Sequence, residues 1–402
     1  MRLKDFSVLN PQYKGESLDC EVSFVPMESL RNGAIDYQDI PFAEGKGKYT
    51  YFQDGDLLVA KVTPCFENGN IAIANNMKQG VGFGSSEIFV LRMNDKVLNT
   101  YMFYITQTAK FQEGACATMC GVGGLKRISP LFMRTYELDI PSLSKQQRIV
   151  DYLDAKLGKI DARIAILEKQ QDAYARLKRS VIHHAVTRGL DPNVFLKDSG
   201  VEWIGMIPKH WELQRFKSIF TECKSVTETG QEDLLSVSEY YGVARRIDKM
   251  EDGEYESRAD SLVGYKVCKK DDLVINIMLA WKRGLGFSDF DGIVSPAYAV
   301  YRGKDIAPHY FHYLMRTDMY VAEYKRNSKG IIDSRLRMYT DRFNNIMAIV
   351  PPLSEQQAIA AYLDEKCSKI DAATENIGKQ IDALKRLKRA LINEVVTGQR
   401  AV

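Results

Sequence analysis

No stretch of the 402-residue sequence approaches the roughly twenty consecutive apolar residues that a membrane-crossing helix takes, so no such helix is expected. Met1–Gln12 shows no apolar core of a secretory signal, and a cytoplasmic location with no membrane partner is expected. Cysteine is scarce and irregular: seven residues, an odd number, with no C-x-x-C. The nearest pair, Cys116 and Cys120, has no histidine beside it, so reduced and mostly buried thiols are expected, with neither a disulfide framework nor zinc. There are only five histidines. His309 and His312 share a helical spacing without a third ligand, and His183-His184 are no better placed, so no metal site is expected. Excess charge is also missing. The net value is +3; residues 1–140 are slightly acidic, residues 196–350 balanced and residues 141–195 basic. Binding to a polyanion must therefore use local patches, or share phosphate neutralisation with another subunit.

Catalytic tools are absent too. Gly121-Val122-Gly123-Gly124 runs into Leu125-Lys126-Arg127 and not into the Lys-Ser/Thr of a phosphate-binding loop. Asn10-Pro11-Gln12-Tyr13 lacks the second proline of the Asn-Pro-Pro-Tyr signature that holds a flipped adenine in amino-methyltransferases. No glycine-rich loop after a strand offers a cofactor site, and Asp271-Asp272 read as turn residues. A non-enzymatic chain without a cofactor of its own is expected.

What the chain does have is a long repeat. Pro141–Thr187 returns as Pro351–Thr397, 210 residues later and without a gap, about half of the aligned positions being identical. Ser144–Gln147 and Ser354–Gln357 fit the S-x-x-Q capping box, with Pro141, Pro351 and Pro352 just upstream, where they remove no helical hydrogen bond. Leu153, Ile160, Leu167, Tyr174 and Val181 recur every seventh residue, and so do Leu363, Ile370, Ile377, Leu384 and Leu391. Leu157 and Ile164, and Cys367, Thr374 and Ile381, complete a 4-3 spacing, which predicts a coiled-coil seam of about four heptads. Roughly 43 residues at 1.5 Å each span about 65 Å. The first helix leaves one half and reaches the other, whereas the second leaves that other half. Alike junctions then imply a two-fold relation, antiparallel helices and a rigid spacer; an oligomerisation coil between chains is the alternative. Arg176–Arg179 and Arg386–Arg389 both read RLKR, cations that suit a helix C-terminus, a DNA phosphate or an acidic partner.

Around the repeat lie two halves with one order. In the first, Gly47–Asn68, Ile71–Ala74 and Gly84–Arg92 predict strands and Leu98–Phe111 a helix. The small-residue loop Gly114–Lys126 and a strand at Thr135–Ile140 follow. After a linker at Arg188–Ser199, the second half offers strands at Lys270–Met278 and Gly292–Arg302. An aromatic helix at His309–Tyr324, a basic loop at Arg326–Arg337 and a strand at Asn345–Val350 complete it. At the same offset Arg302 falls on Arg92, Tyr301 on Leu91 and Arg337 on Arg127. The expected fold is α+β: two similar mixed α/β recognition domains, 1–140 and 196–350, joined by antiparallel coiled-coil helices in 141–195 and 351–402, as a pseudo-two-fold internal repeat.

Three features together carry a family likeness: the P-x-L-S-x-Q-Q-x-I-x-x-Y-L-D openings at 141 and 351, WIGMIPKHW at Trp203–Trp211, and GDLLVAKVTPCFENG at Gly55–Gly69. Over essentially its whole length the chain resembles the specificity subunit of type I restriction-modification enzymes. It departs in one place: RLKDF near Met1 falls on Glu212–Phe216, so the first half lacks a counterpart of the WIGMIPKHW leader. The resemblance implies a non-catalytic, DNA-binding subunit of a restriction system with two target-recognition domains, each reading half of a split site in double-stranded DNA. It further implies that the helical pair sets the gap and docks two methyltransferase subunits, which use S-adenosylmethionine, and that endonuclease and translocase subunits join for restriction.

Reading base edges takes Arg, Lys, Asn, Gln, Ser or Thr on loops that enter a groove, with other cations on phosphates. On that ground the expected DNA-binding residues of the first head are Lys61, Thr63, Asn68, Lys126 and Arg127. In the second they are Arg245, Arg246, Trp281, Lys282, Arg283, Lys329, Arg335 and Arg337, with Trp281 equally suited to a core. Two other functions remain open: a self-sufficient adenine methyltransferase built on Asn10–Tyr13, and a coiled-coil scaffold without DNA affinity.

Overall fold

The computed structural model describes residues 1–122, 124–249, 261–332 and 335–402. The chain is mixed α/β, with two long helices, Leu143–Arg188 and Leu353–Val396. It divides into two compact units, residues 1–168 with 378–402 and residues 169–377, so each unit takes part of both long helices.

In the first unit, a four-stranded sheet runs in the order Ser7–Leu9, Ile88–Met93, Leu57–Ala60, Ile71–Ile73. Every pair is antiparallel, with Leu91 opposite both Leu9 and Leu57. The strand Leu57–Ala60 is wholly buried, as a continuous apolar run predicts for a strand covered on both faces. One face packs on Tyr101, Phe111, Ile149 and Leu153, the other on Phe52, Val25 and Met77. A second sheet orders Gln38–Pro41, Glu21–Val25, Val81–Gly84 and Thr50–Gln53. The predicted strand Gly84–Arg92 is therefore split: Gly84 ends Val81–Gly84, an inner strand of one sheet, and Ile88–Met93 serves the other.

The second unit builds its main sheet in the same order: Phe220–Cys223, Tyr298–Gly303, Leu273–Asn276, Leu285–Phe287. Its six-residue strand Tyr298–Gly303 stands 210 positions after Ile88–Met93. A core of Trp211, Phe216, Tyr310, Phe311, Tyr320 and Tyr324 covers one face of that sheet.

Both predicted aromatic helices are pairs of helices. Leu98–Phe111 resolves into Asn99–Thr106 and Ala109–Ala117, because Thr108 ends one helix and caps the next: its hydroxyl donates to the Ile105 carbonyl and accepts from Phe111 N–H. His309–Tyr324 breaks likewise into Pro308–Met315 and Asp318–Asn327, with the Thr317 hydroxyl donating to the Leu314 carbonyl. The predicted strand Thr135–Ile140 does not form. Ser129 caps a helix over Pro130–Thr135, and only a single bridge, Arg2 to Glu137, follows.

The capping boxes are also corrected. The long helices begin at Leu143 and Leu353, so Ser144 and Ser354 lie inside the first turn, and Lys145 and Gln146 N–H donate to the Ser142 carbonyl. Gln147 binds Asp151 rather than turning back. The glutamine before it does the anchoring. Gln146 is buried, accepts from Leu98 N–H at 2.9 Å and donates to the Lys96 and Pro141 carbonyls at 2.8 Å each. Gln356 repeats this in its own unit, accepting from Ala307 N–H at 2.9 Å and donating to the Pro351 carbonyl at 2.8 Å.

Of the seam positions, Leu153, Leu167, Leu363, Ile370, Ile377 and Leu391 are buried, as are Leu157, Ile164, Cys367 and Ile381. Ile160, Tyr174, Val181, Leu384 and Thr374 are half-buried. Within the second unit Gln171 donates to the Thr374 carbonyl and Lys178 pairs with Asp371 at 2.6 Å, so the helices run antiparallel. Within the first, Lys388 pairs with Asp161 at 2.7 Å, the same two repeat positions with the helices exchanged. The lysine of each RLKR is thus spent on the neighbouring helix. All seven cysteines are free, but only Cys268 and Cys367 are buried, because Cys20 and Cys120 fall on exposed loop and hairpin positions.

Candidate nucleic-acid interface

Each head carries an Arg–Asp ion pair with a buried carboxylate that braces the sheet under its loops. Arg92 clamps Asp56 through Nε and Nη2 at 2.9 and 2.7 Å, and Arg302 clamps Asp272 through the same atoms at 2.9 Å each. Both carboxylates are buried and also accept a backbone N–H three residues back, from Gln53 and Lys269. These partners satisfy a charge that would be costly if left alone. The charged hydrogen bonds raise the affinity of both guanidinium groups for their protons. Asp272, expected as a turn residue, is half of this brace; the repeat offset pointed to the arginines but not to Asp56 and Asp272, which are separated by a different number of residues.

On the first head the structure gathers Lys61, Thr63, Lys126 and Arg127 at one edge. A hairpin of Cys120–Val122 and Leu125–Arg127, exposed throughout, stands on the segment after Leu57–Ala60. Thr63 fixes it: its hydroxyl donates to the Gly124 carbonyl at 2.7 Å and accepts from Lys126 N–H at 3.0 Å, while its N–H donates to the Lys126 carbonyl. The Lys61 ammonium lies 5.3 Å above the Phe89 ring. Arg127 is held by Glu87 through a two-pronged ion pair, which lowers the Glu87 carboxyl's pKa. Lys126 projects from the hairpin into solvent, and Asn68 is exposed on the neighbouring loop. Gly123 lies outside the described residues.

On the second head, Trp281, Lys282 and Arg283 form the turn after Leu273–Asn276. Trp281 is half-buried against the core, donates Nε1–H to the Met278 carbonyl, and has the Lys282 and Lys325 ammonium groups 5.0 and 5.3 Å from its ring. Arg283 is left-handed at φ 65° and pairs with Asp318. The loop bearing Lys329, Arg335 and Arg337 joins this turn, since Met338 N–H donates to the Ile277 carbonyl. Lys329 and Arg337 exchange backbone hydrogen bonds at its base, and all three cations are exposed. Residues 333 and 334 of that predicted basic loop lie outside the described residues. Arg245 ends a separate strand pair, with Arg246 just beyond it, and Arg245 stacks 4.6 Å over Phe290 beside Asp233.

Arg316 was not among the expected residues. Its guanidinium donates to the carbonyls of Arg283, Leu285, Glu239 and Tyr240, tying three loops together. Burial, and then the Arg283 charge, push its pKa down to about 10. A lone arginine at a helix end gives no sequence signal of that role.

His309 contacts Asp364 at 3.2 Å and His312 is enclosed, its pKa pushed down to about 3 by burial first and then by Arg316 and His309. Among the described residues no three His, Cys, Asp or Glu side chains converge on a metal position. Asn10 of the Asn10–Tyr13 motif is consumed structurally, its side-chain carbonyl accepting Val90 N–H at 2.9 Å. Each unit also has a cleft beside its long-helix segments. One of about 330 Å³ is lined by Asp154, Asp161 and Lys388; one of about 670 Å³ is lined by the repeat-related Asp364, Asp371 and Lys178. Among the described residues no helix is long and apolar enough to cross a membrane.

Residues 14–173 match the family described as Type I restriction modification DNA specificity domain. It is similar to the Type I restriction enzyme EcoEI specificity subunit of Escherichia coli, 34% identical over 152 residues that cover 37% of this chain and 26% of that one. The EcoAI specificity subunit of E. coli is 31% identical over 146 residues, 35% of this chain and 25% of the relative. The matched region thus spans about a quarter of the length of those two relatives. The MjaVIII specificity subunit of Methanocaldococcus jannaschii aligns along most of both chains, 21% identical over 404 residues, 96% of this chain and 87% of the other. In fold, the chain resembles one from a structure titled as the complex assembly and conformational transition of the type I R-M system, with TM-score 0.72 at 14% identity over 98% and 96% of the two chains. The HsdS subunit from Thermoanaerobacter tengcongensis superposes with TM-score 0.53 at 16% identity over 100% and 96%. At these identities the structures speak to the fold alone.

Proposed function

We propose that the chain is a non-catalytic specificity subunit that reads a bipartite sequence in double-stranded DNA, one half-site per recognition domain. The observation that carries this reading is duplication with divergence. Both heads share the Arg–Asp brace on a buried carboxylate and the buried glutamine anchor, yet the loops above them differ in sequence, as Gly121–Arg127 and Lys329–Arg337 do. Two frames of one design carrying two different surfaces suit an asymmetric target. In this reading Lys126, Asn68, Lys282, Lys329, Arg335 and Arg337 are the groups available for phosphates or base edges. Thr63 and Arg283 position loops, while Lys61, Arg127, Arg245, Arg246 and Trp281 support them. The domain bounds remain 1–140 and 196–350, with the helical segments 141–195 and 351–402 as a spacer. The paired clefts beside the helices are where two methyltransferase subunits dock, and nuclease subunits join that assembly. Methyl transfer belongs to those partners and takes place in the cytoplasm.

Co-expression with its methyltransferase, followed by sequencing of methylated DNA, is expected to return a split motif. Methylation that persists unchanged when this chain is deleted overturns the reading. Calorimetry of the purified chain with S-adenosylmethionine is expected to show no binding; a saturable isotherm favours the self-sufficient methyltransferase instead. The consumed Asn10 side chain argues against that alternative.

A further inference from the structure

Each head raises a pair of bare aliphatic side chains where a loop tip is ordinarily polar. On the first head Val122 and Leu125 face each other across the hairpin and are 90% and 55% exposed. On the second, Ile331 and Ile332 are 102% and 52% exposed. Both pairs follow the second short helix of their head, Ala109–Ala117 and Asp318–Asn327. Both are mounted firmly. Thr63 and the Ile128 N–H bond to the Lys61 carbonyl hold the first, and the Lys329–Arg337 bridge with the Met338 N–H bond holds the second.

The chemistry beside each tip names the occupant. Lys126 flanks the first pair as an exposed cation, with Arg127 beside it held by Glu87. Lys329, Arg335 and Arg337 surround the second, against a single carboxylate in the segment, Asp333, outside the described residues. An apolar protein pocket alone would call for no such cations, whereas stacked bases edged by phosphates call for both. Gly121, at φ +155°, lets the strands close: a Cβ there would stand 2.1 Å from the Leu125 carbonyl oxygen. Gly330, at φ +154°, makes the corresponding approach, 2.7 Å from the Arg335 carbonyl oxygen. The two tips differ in sequence but share that glycine and the pairing of exposed aliphatics with basic residues.

We propose that each tip is a wedge that enters a groove of duplex DNA and inserts its aliphatic pair against a base step, partly unstacking it, with the adjacent cations on the flanking phosphates. Sequence would then be selected in part by how easily a step opens, pyrimidine–purine steps being the most yielding. This rests on the DNA-reading function above, and the test separates the two.

The full chain, assembled with its methyltransferase subunit, is mixed with duplexes carrying the motif found by methylation sequencing. 2-Aminopurine is walked through one half-site at a time. A fluorescence rise is expected at one step in each half-site, apart from any adenine that the methyltransferase extrudes. Val122→Ser with Leu125→Ser is expected to abolish the rise in the first half-site only and to weaken binding on the order of tenfold. Ile331→Ser with Ile332→Ser does the same in the second. Lys126→Gln is expected to keep the rise while lowering the salt dependence of binding by about one phosphate contact. Motif binding with no such rise, or a rise unaltered in the serine variants, overturns the wedge and leaves the DNA-reading function standing. Serine variants that fail to assemble with the methyltransferase also overturn it, making the tips a protein-docking surface. A wild-type assembly that does not bind the motif duplex overturns the reading on which the wedge rests.

Discussion

Replacing Gln146 by alanine should loosen the joint between the first head and its long helix by an amount that can be worked from its bonds. The side chain makes three, at 2.8 to 2.9 Å, and is buried. A typical intramolecular hydrogen bond contributes about 1 kcal/mol net, and more when its loss strands a buried partner, so the joint should weaken by about 3 kcal/mol. Gln356 makes two bonds of the same kind at 2.8 and 2.9 Å, and Gln356→Ala should cost about 2 kcal/mol. Because the chain has two units, a single global unfolding midpoint would blur the effect. Hydrogen exchange read peptide by peptide does not. Exchange around Leu98–Thr106 should accelerate about a hundredfold in Gln146→Ala, and around Ala307–Met315 about thirtyfold in Gln356→Ala. Gln146→Glu should not rescue the joint, since a carboxylate accepts from Leu98 N–H but cannot donate to two carbonyls. Exchange within about twofold of wild type in both alanine variants would refute the assignment of these glutamines as anchors.

Acidification should act through His312. Its folded pKa of about 3 lies below the ordinary value of about 6.5, so the unfolded chain takes up the proton first. Stability is full above about pH 6.5 and is lost as pH falls towards 3; between pH 7 and 5 the loss is up to about 2 kcal/mol, and urea midpoints should show it shrinking in His312→Gln. The helix–helix pair Lys178–Asp371 is partly exposed, so Lys178→Glu should lower the melting transition by no more than about 1 kcal/mol, and adding Asp371→Lys should restore it at low salt. Asp56→Ala strands the Arg92 guanidinium and Gln53 N–H and should cost about 3 kcal/mol by denaturant titration, against near-neutrality for exposed Asn68→Ala. One heptad inserted into both long helices should lengthen the gap in the methylated motif and leave both half-sites unchanged; a changed half-site with an unchanged gap would refute the spacer.

What could be read directly from the sequence was what repeats at a fixed distance. The helices were legible because apolar residues recur every three or four positions for over forty residues, and the two sheets because Ile88–Met93 and Tyr298–Gly303 keep the repeat offset. The failures share a cause. Ser144 and Gln147 satisfied a local capping pattern, but Gln146 had a stronger use, a non-local one with the head, and the helix started earlier to present it. The long aromatic helices looked continuous because their apolar spacing runs straight through Thr108 and Thr317. Only backbone bonding shows that each threonine takes a carbonyl at i−3 and turns the chain.

The candidate interface divides along the same line. Residue type marked Lys126, Lys329, Arg335 and Arg337 as cations free to meet DNA, and they are exposed. Type alone could not separate them from Thr63, Arg127 and Arg283, whose polar groups are occupied by Gly124, Glu87 and Asp318. Nor could it reveal Arg316, a cation enclosed by four carbonyls. A loop that reads a ligand needs some polar groups spent on holding shape so that the others are held out at fixed positions. The same composition serves both ends, and only the partners tell which residue does which. The aliphatic tips push that logic one step further: Val122, Leu125, Ile331 and Ile332 would pass as core residues by composition. They stand in solvent on loops whose bases are held by bonds to Thr63 and Lys61 on one head, and to Arg337 and Ile277 on the other.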